Sequence, residues 1–121
     1  MAYKTEFTTF AVKKGKETRA EEWMQTLIAR RQECIQTLER EGMHYECIFK
    51  CFRGDRMYLS WFSVQSIGGP DVQDSPHPID KTHLEFWNEC VDQDVLPEDH
   101  EHVVSFVPVL VEQAVLQRDV P

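Results

Sequence analysis

The densest run of chemically capable side chains is Asp74-Ser75-Pro76-His77-Pro78-Ile79-Asp80-Lys81-Thr82-His83. On a helix, His77, Asp80 and His83 follow one another at i, i+3 and i+6. Neighbours in that series meet, but the arc opens by about 120°. Histidine and aspartate three apart could chelate a metal, yet the i, i+4 histidine pair that helical zinc sites use is absent. The other reading is structural: an acidic residue near the start of a helix is favoured by the helix dipole.

His83 raises a separate question, because it falls inside an apolar stripe between Ile79 and Trp87. A histidine there is either a hydrogen-bonded core residue or an acid/base group facing a cavity. Arg31 sits four residues after Leu27 and four before Ile35. Its stem covers apolar surface while its head reaches water, or its guanidinium clamps an anion. Glu46 shares a strand face with Ile48 and Lys50. Desolvation among apolar neighbours would raise its pKa and suit it to general-base work, whereas pairing with Lys50 would make it ordinary. Trp61 and Ser63 belong to the same face. If that face meets the helices, Glu46, Trp61, Ser63, Arg31 and His83 converge on one cavity, with His77 and Asp80 near its edge as ligand-binding candidates. His83 and Glu46 are then the catalytic candidates. His100 and His102 alternate in an acidic stretch and read as solvated. There is no phosphate-cradling glycine motif, nucleophile elbow or dinucleotide fingerprint, and no cofactor is expected.

These groups need elements to hold them. Thr5 to Val12 is β-prone, and Lys13-Lys14-Gly15-Lys16 breaks it. From Glu17 to Glu41, Trp23, Leu27, Cys34, Ile35 and Leu38 recur at helical spacing, so one long helix is expected, with Gly42 at its C-terminal cap. Met43 to Arg53 and Arg56 to Gln65 read as strands about a Gly54-Asp55 turn. A glycine-first two-residue loop selects a primed turn and sets Arg53 opposite Arg56. Cys51 then faces Tyr58, Ile48 faces Trp61 and Glu46 faces Ser63. Alternation gives the hairpin two faces. One carries Tyr45, Cys47, Phe49, Cys51, Tyr58, Ser60, Phe62 and Val64. The other, apolar in the middle and polar at one end, carries His44, Glu46, Ile48, Lys50, Phe52, Met57, Leu59, Trp61, Ser63 and Gln65.

Ser66 to Asp74 is a loop. Ser75-Pro76 is expected to open a second helix running to about Asp92, with serine as its cap and proline in its first turn. A last strand is expected near His102 to Leu110, limited to an edge by Pro108. The tail from about residue 111 is left open. The order strand, helix, two strands, helix, strand is that of a single ferredoxin-like α+β sandwich over residues 1–121. Its helices cover one face of the sheet. The other face, rich in aromatic residues, calls for a second copy, so a homodimer is expected.

Composition limits the partners. With 121 residues and a formal net charge of -8, the chain lacks the electrostatic footprint of a nucleic-acid or anionic-membrane binder. It has no run of about 18 apolar residues for a membrane span, and its first residues lack the apolar core of a signal peptide. Its four cysteines fit neither a zinc pattern nor a disulfide framework and read as reduced, mostly buried thiols of a cytoplasmic protein.

The βαββαβ order, the long Trp23 helix, Gly54-Asp55 followed by Tyr58-Leu59-Ser60-Trp61-Phe62-Ser63-Val64-Gln65, and the Asp74–Trp87 run together resemble an uncharacterised bacterial family. That family is similar in architecture to the dimeric α+β barrel superfamily. The superfamily includes cofactor-independent monooxygenases, haem-degrading enzymes, muconolactone isomerase and stress-responsive barrel proteins. The resemblance implies a fold and a dimer, and the Asn-Trp-His pattern of the haem-degrading branch finds no counterpart here. Two functional expectations follow. One is a small organic ligand between sheet and helices, with cofactor-independent monooxygenase- or isomerase-like chemistry. The other is a non-enzymatic dimeric ligand-binding or stress-response module.

Overall fold

The computed structural model describes residues 3–66 and 77–115. Its elements are β1 (Tyr3–Ala11), α1 (Glu17–Ala29), α2 (Arg31–Glu41), β2 (Met43–Arg53), β3 (Arg56–Ser66), α3 (Pro78–Cys90), β4 (Glu98–Asp99) and α4 (Val109–Val115). The four strands form one sheet in the order β2-β3-β1-β4, and every pairing is antiparallel. The chain is thus a mixed α+β structure.

The hairpin adopts the register that its turn dictates. Arg53 faces Arg56, Cys51 faces Tyr58, Ile48 faces Trp61 and Glu46 faces Ser63. Gly54 has a φ of +64°, the sign that a glycine-first primed turn requires. One irregularity matters for the site. Between Met43 and Tyr45 the pairing slips by a residue, a bulge at His44. The bulge brings Met43 opposite Gln65, on the helix side, where simple alternation would have turned it away.

The mixed face is the one that meets the helices. Met57 and Leu59 of β3 pack with Val12, with Ala20 and Trp23 of α1, and with Phe86 and Cys90 of α3, and Ile48, Trp61 and Phe10 border that core. Burying side chains of this size stabilises the fold by roughly 1.5–3 kcal/mol each. On the opposite face Tyr45 and Phe49 remain more than half exposed.

Three expectations are corrected. The helix from Glu17 to Glu41 is two helices, because Arg30 leaves helical geometry at φ -107° and ψ 32°. Its guanidinium bridges the break, bonding Glu33 through Nε and Nη2 and Thr82 of α3 through Nη1. The second helix starts later than expected: His77 occupies its N-cap position and Pro78 its first turn. Ser75 and Pro76, with most of the preceding loop, lie outside the described residues.

The last strand is two residues long and lies before the expected segment, and 101–108 has no regular structure. Extending the β1–β4 register beyond Thr8↔Asp99 would set Glu101 opposite Glu6, and like charges directly opposed destabilise a ladder. Pro108 then accepts the first turn of α4, through the Glu112 N–H at 2.9 Å.

Candidate functional site

The break at Arg30 lets α2 lie over β2 and beside α3, while α1 packs against α3 and, through Ala20 and Trp23, on β3. Beneath α2 is a partly open cavity of about 530 Å³. Leu27, Ile28, Cys34, Ile35, Leu38, Ile48 and Ile79 give it an apolar wall, with Met43 added by the bulge. Arg31, Glu41, Glu46, Asp80 and His83 supply its polar groups. A second hollow of about 400 Å³ adjoins it, sharing Leu27, Ile28, Glu46 and Ile48.

Each polar group is placed by its element. Glu41 is the last residue of α2, held there by Gly42, whose left-handed φ of +70° caps the helix. The Gly42 carbonyl accepts the Ser66 N–H at 2.8 Å, which ties the end of α2 to β3. Cys34, Leu38 and Glu41 repeat at i, i+4 and i+7, so the apolar stripe of α2 ends in a carboxylate that faces the cavity. Burial, with repulsion from Asp80 and then Glu46, raises the Glu41 pKa from 4.5 to about 7.

Glu46 extends from β2 into the same space. It forms no hydrogen bond or ion pair among the described residues, because Lys50 pairs with Glu21 at 2.5 Å instead. Desolvation and then Asp80 push its pKa upward. Much of the Glu46 surface is accessible, but it opens into the concavity, where protein crowds the carboxylate and still disfavours its charge. Asp80, in the first turn of α3, is only 6% exposed. Its Oδ2 is buried without a hydrogen-bond partner among the described residues.

His83 is fixed by the aromatic core. The Trp23 Nε1–H donates to His83 Nδ1 at 3.1 Å. An indole only donates, so Nδ1 accepts and the neutral ring carries its proton on Nε2. Rings of Trp23, Trp61 and Trp87 surround it at centroid distances of 5.4, 6.2 and 6.2 Å. Burial lowers its pKa, against a smaller upward pull from Asp80. At neutral pH His83 is therefore a hydrogen-bond donor, and Nδ1 is not free to take a proton. Burial, Glu46 and Asp80 likewise raise the Cys34 pKa, which keeps that thiol a poor nucleophile.

The structure thus brings Arg31, Glu46, Asp80 and His83 around one cavity and places Trp61, Ser63 and His77 elsewhere. Trp61 stands behind His83 in the aromatic cluster, against Trp23 and Trp87. Ser63 is buried in β3, where its Oγ accepts from Gln65 at 3.0 Å. His77 is the N-cap residue of α3. Arg31 is exposed at the rim and forms no ion pair among the described residues. Among the described residues, no group of three or more His, Cys, Asp or Glu side chains is arranged to hold a metal ion. Glu41 is the residue that sequence reasoning missed, although its place in the α2 stripe carried the signal.

No curated protein and no solved structure matches the chain. One family model does, over residues 3–113, and it is described only as a family of unknown function. That span is nearly the whole chain, so the protein belongs to DUF6176, a family whose function is not established.

Proposed function

We propose that this protein binds a small organic molecule in the cavity beneath α2 and performs cofactor-independent proton transfer on it, in the manner of an isomerase. One observation carries the reading: Glu41, with a pKa of about 7, faces an apolar cavity beside Glu46, a carboxylate that has no hydrogen-bond or ion-pair partner among the described residues. A group that titrates near the working pH both gives and takes a proton efficiently. His83 Nε2–H supplies a fixed donor for a carbonyl or hydroxyl of the ligand. A binding-only role has one observation in its favour, since the Nδ1 that would make His83 a base is committed to Trp23.

The architecture we infer is a ferredoxin-like dimeric α+β barrel. Support comes from the antiparallel order β2-β3-β1-β4 and from the aromatic face, where Phe7 meets Phe49 and Tyr45 meets Phe62. A second copy laid on that face would bury it.

Fragment screening by heteronuclear NMR tests the site. Hits are expected to shift the methyls of Leu38 and Ile79 and the Trp23 indole N–H, and to be lost in Leu38→Trp, which fills the cavity. Hits that map elsewhere, or that persist in the filled variant, would overturn the reading.

A further inference from the structure

We propose that the ligand of this cavity carries an ammonium group on an apolar body, an alkylamine or aralkylamine, seated against Glu41, Glu46 and Asp80. The inference rests on the cavity being a ligand site and adds the chemical class that it selects.

Three carboxylates from three elements converge here: Glu41 from α2, Glu46 from β2 and Asp80 from α3. They are close enough for each glutamate to be affected by Asp80. Carboxylates are rarely gathered in an apolar cavity without cations, because each raises the energy of the others. Of the nearby cations, the exposed Arg40 beside Glu41 offsets only a small part of the effect of burial and of the other carboxylates. Lys50 is held by Glu21 and Arg30 by Glu33. Arg31 stands ten residues from Glu41 along α2, about 15 Å at the helical rise. Independently of the cluster, Asp80 lines the cavity while only 6% exposed, and its buried Oδ2 has no hydrogen-bond partner among the described residues. Such an orphaned acceptor costs about 1–3 kcal/mol, more when charged. An ammonium donating to the Asp80 carboxylate would supply the hydrogen bond it lacks, and its charge would be balanced by Glu41 and Glu46 along the same cavity. Leu27, Leu38 and Ile48 would cover the carbon chain.

Titrating hexylamine, hexan-1-ol and hexanoate separately into the full-length protein at pH 8, read at the Trp23 indole resonance, tests this. Hexylamine is expected to bind roughly tenfold tighter than the alcohol, the ratio by which charge-assisted hydrogen bonds exceed neutral ones. Hexanoate should bind weakest, and added salt should narrow the gap. Glu46→Gln, an isosteric change at an accessible position, should cut the amine preference severalfold, and Asp80→Asn should do the same. Equal affinities, or tightest binding of hexanoate, would overturn the amine inference and leave the cavity reading standing. An amine preference untouched by both substitutions would also overturn it, because the amine would then sit elsewhere. Binding of none of the three would bring down both readings.

Discussion

At the scale of single residues, the cavity works against the fold. Glu41 ionises at 4.5 ordinarily and at about 7 in the folded chain. Between those values the unfolded chain has released its proton while the folded chain still holds it. Stability therefore falls as pH rises from about 4.5 to about 7 and levels off above. Full burial would make the loss larger, but Glu41 is partly solvated, which brings it to about 1–2 kcal/mol. Glu41→Gln should thus unfold at higher denaturant than the parent at pH 8 by that amount, with the gain fading toward pH 4.5. Urea titrations across that range check it, and parallel curves for the two proteins would show that Glu41 ionises normally. His83 acts in the opposite sense. Its pKa is lowered by burial, so the parent loses stability as pH drops below about 6.5, where the unfolded imidazole takes a proton that the folded ring resists. His83→Gln, which keeps an acceptor for Trp23, should flatten that limb of the curve. Of these two groups only His83 was legible in the sequence, where a histidine inside an apolar stripe stands out. Glu41 at a helix end looks like any surface glutamate until β2 and α3 close around it.

At the scale of elements, the site depends on how α2 begins and ends. Its start is the Arg30 break, held by the bonds to Glu33 and Thr82. Its end is Gly42 in the left-handed region, bonded onward to Ser66. A Cβ in that conformation costs roughly 1–2 kcal/mol. Gly42→Ala should lower stability by about that much, and Gly42→Asn by less, since asparagine tolerates the region better. Denaturant melts of the two variants give the comparison, and equal losses would contradict the capping role. The cap and the hairpin register were both readable, because glycine at a helix end and glycine first in a two-residue turn each have few conformational solutions. The helix break was not. The stripe from Trp23 to Leu38 continues across Arg30 with acceptable spacing, and the interruption is fixed by a threonine 52 residues away. The bulge at His44 was hidden for the same reason: alternation alone gives no sign of it.

At the scale of the whole molecule, apolar surface outside the helix-covered face remains to be accounted for. Tyr45 and Phe49 are 56% and 54% exposed on the open sheet face, and Val103, Phe106 and Leu110 are 86%, 89% and 79% exposed beyond β4. Cys51, expected to be buried, is exposed on that same face. Monomeric proteins seldom leave this many large apolar side chains bare. The homodimer that we propose should bury on the order of 2,000 Å² in total. Sedimentation equilibrium should give twice the chain mass at micromolar concentration. Phe49→Glu, which puts a charge on the open face without touching the helix-side core, should yield the monomer. A parent that sediments as a monomer would end the dimer proposal. No helix among the described residues is long and apolar enough to cross a membrane.

What the sequence determined by itself was whatever depends on near neighbours. Gly54-Asp55 fixed the hairpin register, so the partners of Glu46, Ile48 and Cys51 followed by counting. Period-two alternation sorted β2 and β3 into a mixed face and an aromatic face. Helical spacing put Trp23 and Phe86 toward the core. What tertiary structure alone decided was everything that needs atoms from distant segments to meet. The pairing of Lys50 with Glu21 took from Glu46 the partner expected for it, the Trp23 indole chose the tautomer of His83, and the approach of α3 to α2 brought Asp80 within electrostatic reach of Glu41. The expected strand at His102 to Leu110 failed on the same account. Its alternation was local, but a strand exists only where a neighbour accepts its hydrogen bonds, and Glu6 of β1 presents the wrong charge to Glu101. Local pattern specifies which conformations a segment can adopt, whereas the field and the contacts at a site are sums over residues far apart in the chain.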